Sequence, residues 1–79
     1  MNDLLKNINR IHTTKLGIER IKKNLKLEIE DAVTYCKNII INKDCIINKK
    51  GKNYYCKFKN TTITINSYSY TIITAHKGE

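Results

Sequence analysis

The chain is 79 residues long, carries a formal net charge of +8 at pH 7, and contains neither tryptophan nor proline. This length predicts a single domain, residues 1–79, with one small core. The apolar runs are far too short to span a bilayer, and the start lacks the basic-then-apolar pattern of a secretory signal. We therefore expect a cytoplasmic protein with no membrane partner.

The first part of the chain, residues 2–40, is predicted to be helical. Apolar residues recur at helical spacing between residues 4 and 11, and Thr13 or Thr14 is a candidate cap for a second helix that begins at Lys15. Gly17 within that second stretch costs about 1 kcal/mol relative to alanine. Its presence favours two short helices over one continuous helix.

A third helix is predicted from Glu28 to Ile39. Its apolar stripe consists of Ile29, Ala32, Val33 and Cys36. Three carboxylates are expected in its first turn and Lys37 lies near its end, the two places where the helix dipole favours these charges. The carboxylates are Glu28, Glu30 and Asp31.

From Cys45 onward the apolar residues follow a period of two, which is typical of strands. Turns are predicted around Gly51, at Asn60 and at residues 66–68. Ile72 and Ile73 make the last strand, Ser69–His76, a candidate for a central position or for cover on both faces. The predicted fold class is α+β: two or three N-terminal helices packed on one face of a four-stranded antiparallel meander, residues 45–76.

The helices are expected to cover the strand residues Cys56, Phe58, Ile63 and Ile65. The opposite face then carries hydroxyl, aromatic and ammonium groups, which suit contacts to phosphate, ribose and base. These candidate nucleic-acid-binding residues are Tyr55, Lys57, Lys59, Thr62 and Thr64. Two further candidates are Lys77 and Arg20, since the arginine fork can grip a phosphate in a bidentate way.

The basic charge raises encounter rates with polyanions, although solvation of a small domain and binding of an acidic protein remain alternatives. Cys36, Cys45 and Cys56 lack the spacing of zinc or redox sites and are interpreted as reduced, buried hydrophobes. We predict no metal site and no cofactor.

His12 and His76 are the candidate acid–base residues, because imidazole titrates near neutral pH. If they met, one would take the proton of a 2′-hydroxyl and the other would donate to the leaving 5′-oxygen. Thr74 is a third catalytic candidate near His76. The alternatives are a turn residue for His12 and a frayed chain end for His76.

Three segments carry a family resemblance: residues 11–21, Gly51-Lys-Asn-Tyr-Tyr, and residues 66–77. Together they resemble a small Firmicutes family catalogued as domain of unknown function 3781, over nearly the whole chain. The layout, helices followed by a meander that ends in Thr-Ala-His, is also similar to the barnase, colicin and RelE-like ribonucleases. That second resemblance implies RNA cleavage without metal, although the strands lack the Glu/Arg/His arrangement of barnase.

The resulting hypothesis is a small basic domain directed at RNA or a nucleoprotein, in its sharpest version a metal-independent ribonuclease. One alternative is a non-catalytic, phage-type inhibitor of a bacterial defence complex of the CRISPR kind. Another is a homodimerising interaction domain. The expected partners are accordingly RNA or a nucleoprotein, a protein effector or antidote, or a second copy of the chain.

Overall fold

The computed structural model describes residues 3–26 and 31–77. Helices precede strands in the chain, as predicted: α1 (Asp3–Lys6), a 3₁₀ helix (Ile8–Arg10), α2 (Lys15–Leu25), α3 (Ala32–Ile40), β1 (Ile46–Lys50), β2 (Asn53–Phe58), β3 (Thr61–Asn66) and β4 (Ile72–Lys77). The strands form one antiparallel sheet in the order β1-β2-β3-β4. The predicted α+β class and meander are confirmed.

The break between α1 and α2 confirms that the N-terminal region forms separate short helices. Thr14 is the cap of α2, and its side-chain oxygen accepts the backbone N–H of Gly17 at 3.0 Å. The helix ends at Lys26, which adopts a left-handed conformation with φ 55°. Its Ile21 and Leu25 are buried, so α2 presents one apolar face to the core.

Helix α3 is shorter at its start than the predicted Glu28–Ile39, and residues 27–30 lie outside the described part of the chain. Asp31 is the N-cap of this helix rather than a residue of its first turn. Of the predicted stripe, Ala32 and Cys36 are buried together with Ile39 and Ile40, and Val33 is half-buried against the core. Ile29, Glu28 and Glu30 lie outside the described residues.

The core lies between the helices and one face of the sheet. Residues paired across antiparallel strands share a face, and Cys56, Ile63 and Ala75 form one such row. All three are at most 1% exposed. Helix α2 packs mainly on β4 and α3 contacts β2, so the helices cover this face, as expected.

Two tight turns set the positions of β1, β2 and β3. Gly51 takes φ 61° between β1 and β2, which confirms the predicted glycine turn. Lys59 takes φ 53° in the turn between β2 and β3. The expectation that Lys59 lies on the outward face of a strand is therefore wrong, since the strand ends at Phe58.

The last strand was expected to be central or covered on both faces, but it lies at the edge of the sheet and one of its faces is accessible to solvent. Its two isoleucines have different environments because a β-bulge falls between their pairings: Ile72 pairs with Ile65, whereas Ile73 is the extra residue and is 45% exposed.

The start of the β4 edge is covered by the N-terminal segment. His12 donates its backbone N–H to Tyr70 O and accepts from the N–H of Ile72.

We expect Gly17→Ala to lower the free energy of unfolding by about 1 kcal/mol, although alanine favours helix. A Cβ at this position would collide with the Thr13 hydroxyl. That hydroxyl donates to the carbonyl of Ile72 at 3.1 Å and ties α2 to β4. Urea unfolding followed by circular dichroism measures the effect. In a Thr13→Ala background, where this bond is already absent, Gly17→Ala should be neutral or stabilising. Equal losses in both backgrounds would contradict the explanation.

Acid pH is expected to weaken the cap of α3. The Thr34 hydroxyl and backbone N–H donate to the Asp31 carboxylate at 2.6 and 2.9 Å, and these bonds lower the pKa of Asp31 below its usual value. A lowered folded-state pKa stabilises the fold above the unfolded-state pKa of about 3.9, and this contribution is lost as the pH falls through the folded-state pKa.

The stability of the wild type should therefore exceed that of Asp31→Asn at pH 6, and the difference should shrink as the pH falls below about 4. Urea midpoints at several pH values measure it. Thr34→Val removes the hydroxyl donor but keeps the backbone donor. At pH 6 its stability should therefore differ from that of the wild type by less than the stability of Asp31→Asn does. A stability difference that does not change with pH would contradict the assignment of the effect to the Asp31 carboxylate.

Candidate nucleic-acid interface

The sheet face opposite α2 and α3, here called the open face, places polar residues in rows across the strands. One row joins Lys57 of β2 to Thr62 of β3 and His76 of β4. Neighbouring strands are about 4.8 Å apart, so about 10 Å of backbone separates the two ends of this row. A cation, a hydroxyl and an imidazole are thus aligned within the span of a phosphodiester and its ribose.

The adjacent row joins Tyr55, Thr64 and Thr74. The open face thereby brings together six of the ten residues that the sequence proposed for binding or catalysis, drawn from three different strands. They are Tyr55, Lys57, Thr62, Thr64, Thr74 and His76.

These six side chains differ in their access to solvent. Lys57 and His76 are exposed, and Tyr55, Thr62 and Thr74 are half-buried. Thr64, in contrast, is only 7% exposed, because it lies between the paired residues Tyr55 and Thr74 on an interior strand. The expectation that Thr64 presents its hydroxyl openly is therefore not met, and the accessible groups lie to either side of it.

A shallow groove of about 510 Å³ lies on the open face beside the β1–β2 turn. It is lined by Asn48, Lys50, Gly51, Tyr55 and Lys57. Sequence reasoning missed Asn48 and Lys50, although the period-two pattern extends back into β1 and register pairs Asn48 with Tyr55. The groove combines an aromatic ring with two ammonium groups and an amide, and the described residues that line it include no carboxylate.

The charged residues in the segment that forms the sheet are all basic. Residues 45–77 contain six lysines and neither aspartate nor glutamate, whereas residues 1–44 hold six of the seven carboxylates. This separation is visible in the sequence and was a further signal for the site. It makes this segment uniformly basic and a source of attraction for polyanions.

Three of the proposed binding residues lie away from the open face. Lys77 pairs with Thr61, which pairs with Phe58, on the helix-facing side of the sheet. Lys59 is in the turn, with its Nζ 5.3 Å from the centre of the Phe58 ring. Arg20 is exposed on α2, which packs on that same helix-facing side. These cations do not join the Lys57 row.

The two histidines do not form an acid–base pair. His12 is bonded to Thr71 just before β4 begins, and His76 is five residues farther along the same strand. With the β-bulge at Ile73, these positions are about 13 Å apart along the strand. This placement gives no support to a mechanism in which both imidazoles contact one phosphate.

His12 instead belongs to a hydrogen-bonded seam between the N-terminal segment and β4. Its Nδ1 lies 2.8 Å from the carbonyl oxygen of Arg10, which can only accept, so the neutral ring carries its proton on Nδ1. Its Nε2 lies 3.1 Å from the Thr71 hydroxyl, which is itself 2.8 Å from that of Ser69. Both ring nitrogens are engaged, so the His12 side chain helps to hold the β4 edge in place.

The cysteines lie on the core side of the molecule. Burial raises the pKa of the Cys36 and Cys56 thiols to about 12 and raises the pKa of Cys45 in the same direction. Such thiols stay protonated at neutral pH and are poor nucleophiles and poor ligands. Among residues 3–26 and 31–77, no group of three or more His, Cys, Asp or Glu side chains is placed to hold a metal ion.

Within the described residues, no helix has the length and apolar character needed to cross a membrane. The fold and the open face define a small α+β domain with a basic, hydroxyl-bearing sheet surface. The chain belongs to the family described as Protein of unknown function (DUF3781), whose model matches residues 5–76. No curated protein and no solved structure matches the chain.

Proposed function

We infer that this protein binds single-stranded RNA through the open face of its sheet. The observation that carries this inference is the row Lys57–Thr62–His76, set in a chain segment, residues 45–77, that contains six lysines and no carboxylate. Binding of a phosphate backbone to lysines releases counterions and supplies most of the non-specific affinity. A surface without acidic groups does not oppose that binding by repulsion.

The aromatic and hydroxyl groups of the open face add non-ionic contacts. Tyr55 is half-buried and lines the groove together with Asn48 and Lys50, so one part of its ring is held by the sheet while another part is accessible. A ring held in this way is a stacking platform for an unpaired base. Thr62 can donate to a phosphate or ribose oxygen between Lys57 and His76. The flat face suits single strands, whose bases are free to stack.

RNA cleavage is the stronger form of this proposal. With a phosphate over Thr62, His76 would accept the proton of the ribose 2′-hydroxyl, and the 2′-oxygen would bond to phosphorus as the bond to the 5′-oxygen breaks. The leaving 5′-oxygen would take a proton from water, and Lys57 would stabilise the charge on the phosphorane. This route uses one histidine and does not involve His12.

The binding proposal is tested by the salt dependence of affinity for a fluorescent single-stranded RNA. Lys57→Gln should weaken binding and reduce the slope of log K against log salt by about 0.7. Tyr55→Leu should weaken binding without changing the slope, because stacking releases no counterions. The matched control is Lys23→Gln, which removes the same charge from an exposed position on α2 and should leave both quantities near those of the wild type.

Equal effects of Lys57→Gln and Lys23→Gln would mean that RNA responds only to net charge, and the assignment to the open face would be rejected. A wild-type protein that binds no RNA, but co-purifies with a large effector complex after nuclease treatment, would favour the inhibitor alternative instead.

The cleavage proposal is tested by incubating RNA with the protein in EDTA. His76→Asn should reduce cleavage by about 100-fold or more while RNA affinity stays close to that of the wild type, because a general base contributes to rate rather than to binding. His12→Asn should retain cleavage once its folding is verified by circular dichroism. Loss of cleavage in His12→Asn alone would reject His76 as the base.

A further inference from the structure

A second cavity lies on the other side of the sheet, between α3 and the end of the sheet where β2 turns into β3 and β4 ends. This cavity, here called the α3 pocket, has a volume of about 570 Å³, within the range of small-molecule sites. It includes Tyr35, Phe58, Lys59 and Lys77. The open face and its groove share none of these residues.

The apolar part of the α3 pocket is aromatic. Tyr35 of α3 and Phe58 of β2 are both half-buried and pack against the core, so their rings are held by the fold while part of each lines the cavity. The buried Ile39 of α3 is part of the same lining. Such a wall offers ring faces to a flat, unsaturated ligand.

The polar part of the α3 pocket is cationic. Lys59 and Lys77 both line it, and none of the described residues in its lining is aspartate or glutamate. The Nζ of Lys59 is held near the Phe58 ring at 5.3 Å from its centre, which places a positive charge next to an aromatic surface. Asn42 accepts the N–H of Asp44 with its Oδ1 at 2.9 Å, so its amide hydrogens are the atoms left to donate to a ligand.

We propose that the α3 pocket binds a nucleotide, with the base against Tyr35 or Phe58 and the phosphate between Lys59 and Lys77. A nucleotide joins a flat aromatic system to an anion, and this cavity is complementary to it because it joins aromatic walls to two ammonium groups. The proposal does not depend on RNA binding by the open face, which lies across the sheet. The same chemistry is present in a free nucleotide and in the terminal nucleotide of an RNA strand.

The proposal is tested with the full chain by titrating AMP, adenosine and inorganic phosphate and following amide shifts by NMR. Saturable AMP binding with shifts at Tyr35, Ile39 and Lys77 is expected. AMP should bind more tightly than either part alone, because it engages the rings and the lysines together.

Variants separate the two halves of the pocket. Lys77→Gln should weaken AMP about tenfold and leave adenosine unchanged, whereas Tyr35→Leu should weaken both about fivefold. Lys59→Asn is a second cation variant, and asparagine tolerates the left-handed backbone at this position. Lys50→Gln, in the groove of the open face, tests that face as the alternative site. The matched charge control is Lys23→Gln, at an exposed position on α2, which should leave AMP binding unchanged.

The absence of saturable AMP binding by the folded wild type at millimolar concentration would overturn the proposal. So would a loss of AMP affinity in Lys50→Gln that exceeds the loss in Lys77→Gln, since the nucleotide would then occupy the open face. A short RNA that displaces AMP would identify the ligand as a strand end, and an RNA that binds without displacing AMP would identify a free nucleotide. If AMP binds but RNA does not, the proposed RNA binding by the open face is rejected and the proposal for the α3 pocket stands.

Discussion

The structure depends on burial of one face of the sheet beneath α2 and α3. Cys56, Ile63 and Ala75 lie side by side on adjacent strands and are almost fully shielded from water. Because side chains alternate along a strand, burying these residues forces their neighbours to the other side. A shift of the strand register by one residue would exchange the inward-facing and outward-facing side chains, and it would expose the whole apolar row to water. The hydrophobic effect therefore fixes the position of Lys57, Thr62 and His76 as firmly as it fixes the core.

The edge of β4 needs a second interaction, because the strand order leaves it without a neighbouring strand. The N-terminal segment supplies that interaction: the backbone of His12 pairs at the start of the edge, and the Thr13 hydroxyl bonds to the Ile72 carbonyl. Tyr70 adopts φ 60° at this junction and is covered by the Arg10 guanidinium at 4.7 Å. A left-handed backbone conformation is energetically unfavourable for tyrosine, and the surrounding contacts hold Tyr70 in it.

The two sides of the sheet thus each carry a lysine-lined surface. The open face spreads its lysines, hydroxyls and one tyrosine over a flat area, whereas the α3 pocket concentrates two aromatic rings and two lysines in a concave site. The flat surface suits an extended polyanion, and the concave one suits a single nucleotide. Both follow from a chain segment, residues 45–77, that has no carboxylate to neutralise its lysines.

The periodicity of the sequence determined the elements, the inward row and most of the outward row, because local sterics and burial act over a few residues. It also limited the cap of α2 to Thr13 or Thr14, of which the structure has Thr14, and identified Gly51 as a turn residue, since each has a short-range physical cause. What the tertiary structure alone decided is which distant residues meet. The edge position of β4, the bulge that turns Ile73 outward and the separation of His12 from His76 arise from pairing between segments far apart in the chain. The same pairing buried Thr64 and moved Lys59 and Lys77 to the α3 pocket, because neither strand order nor turn geometry is encoded in the period of a single strand.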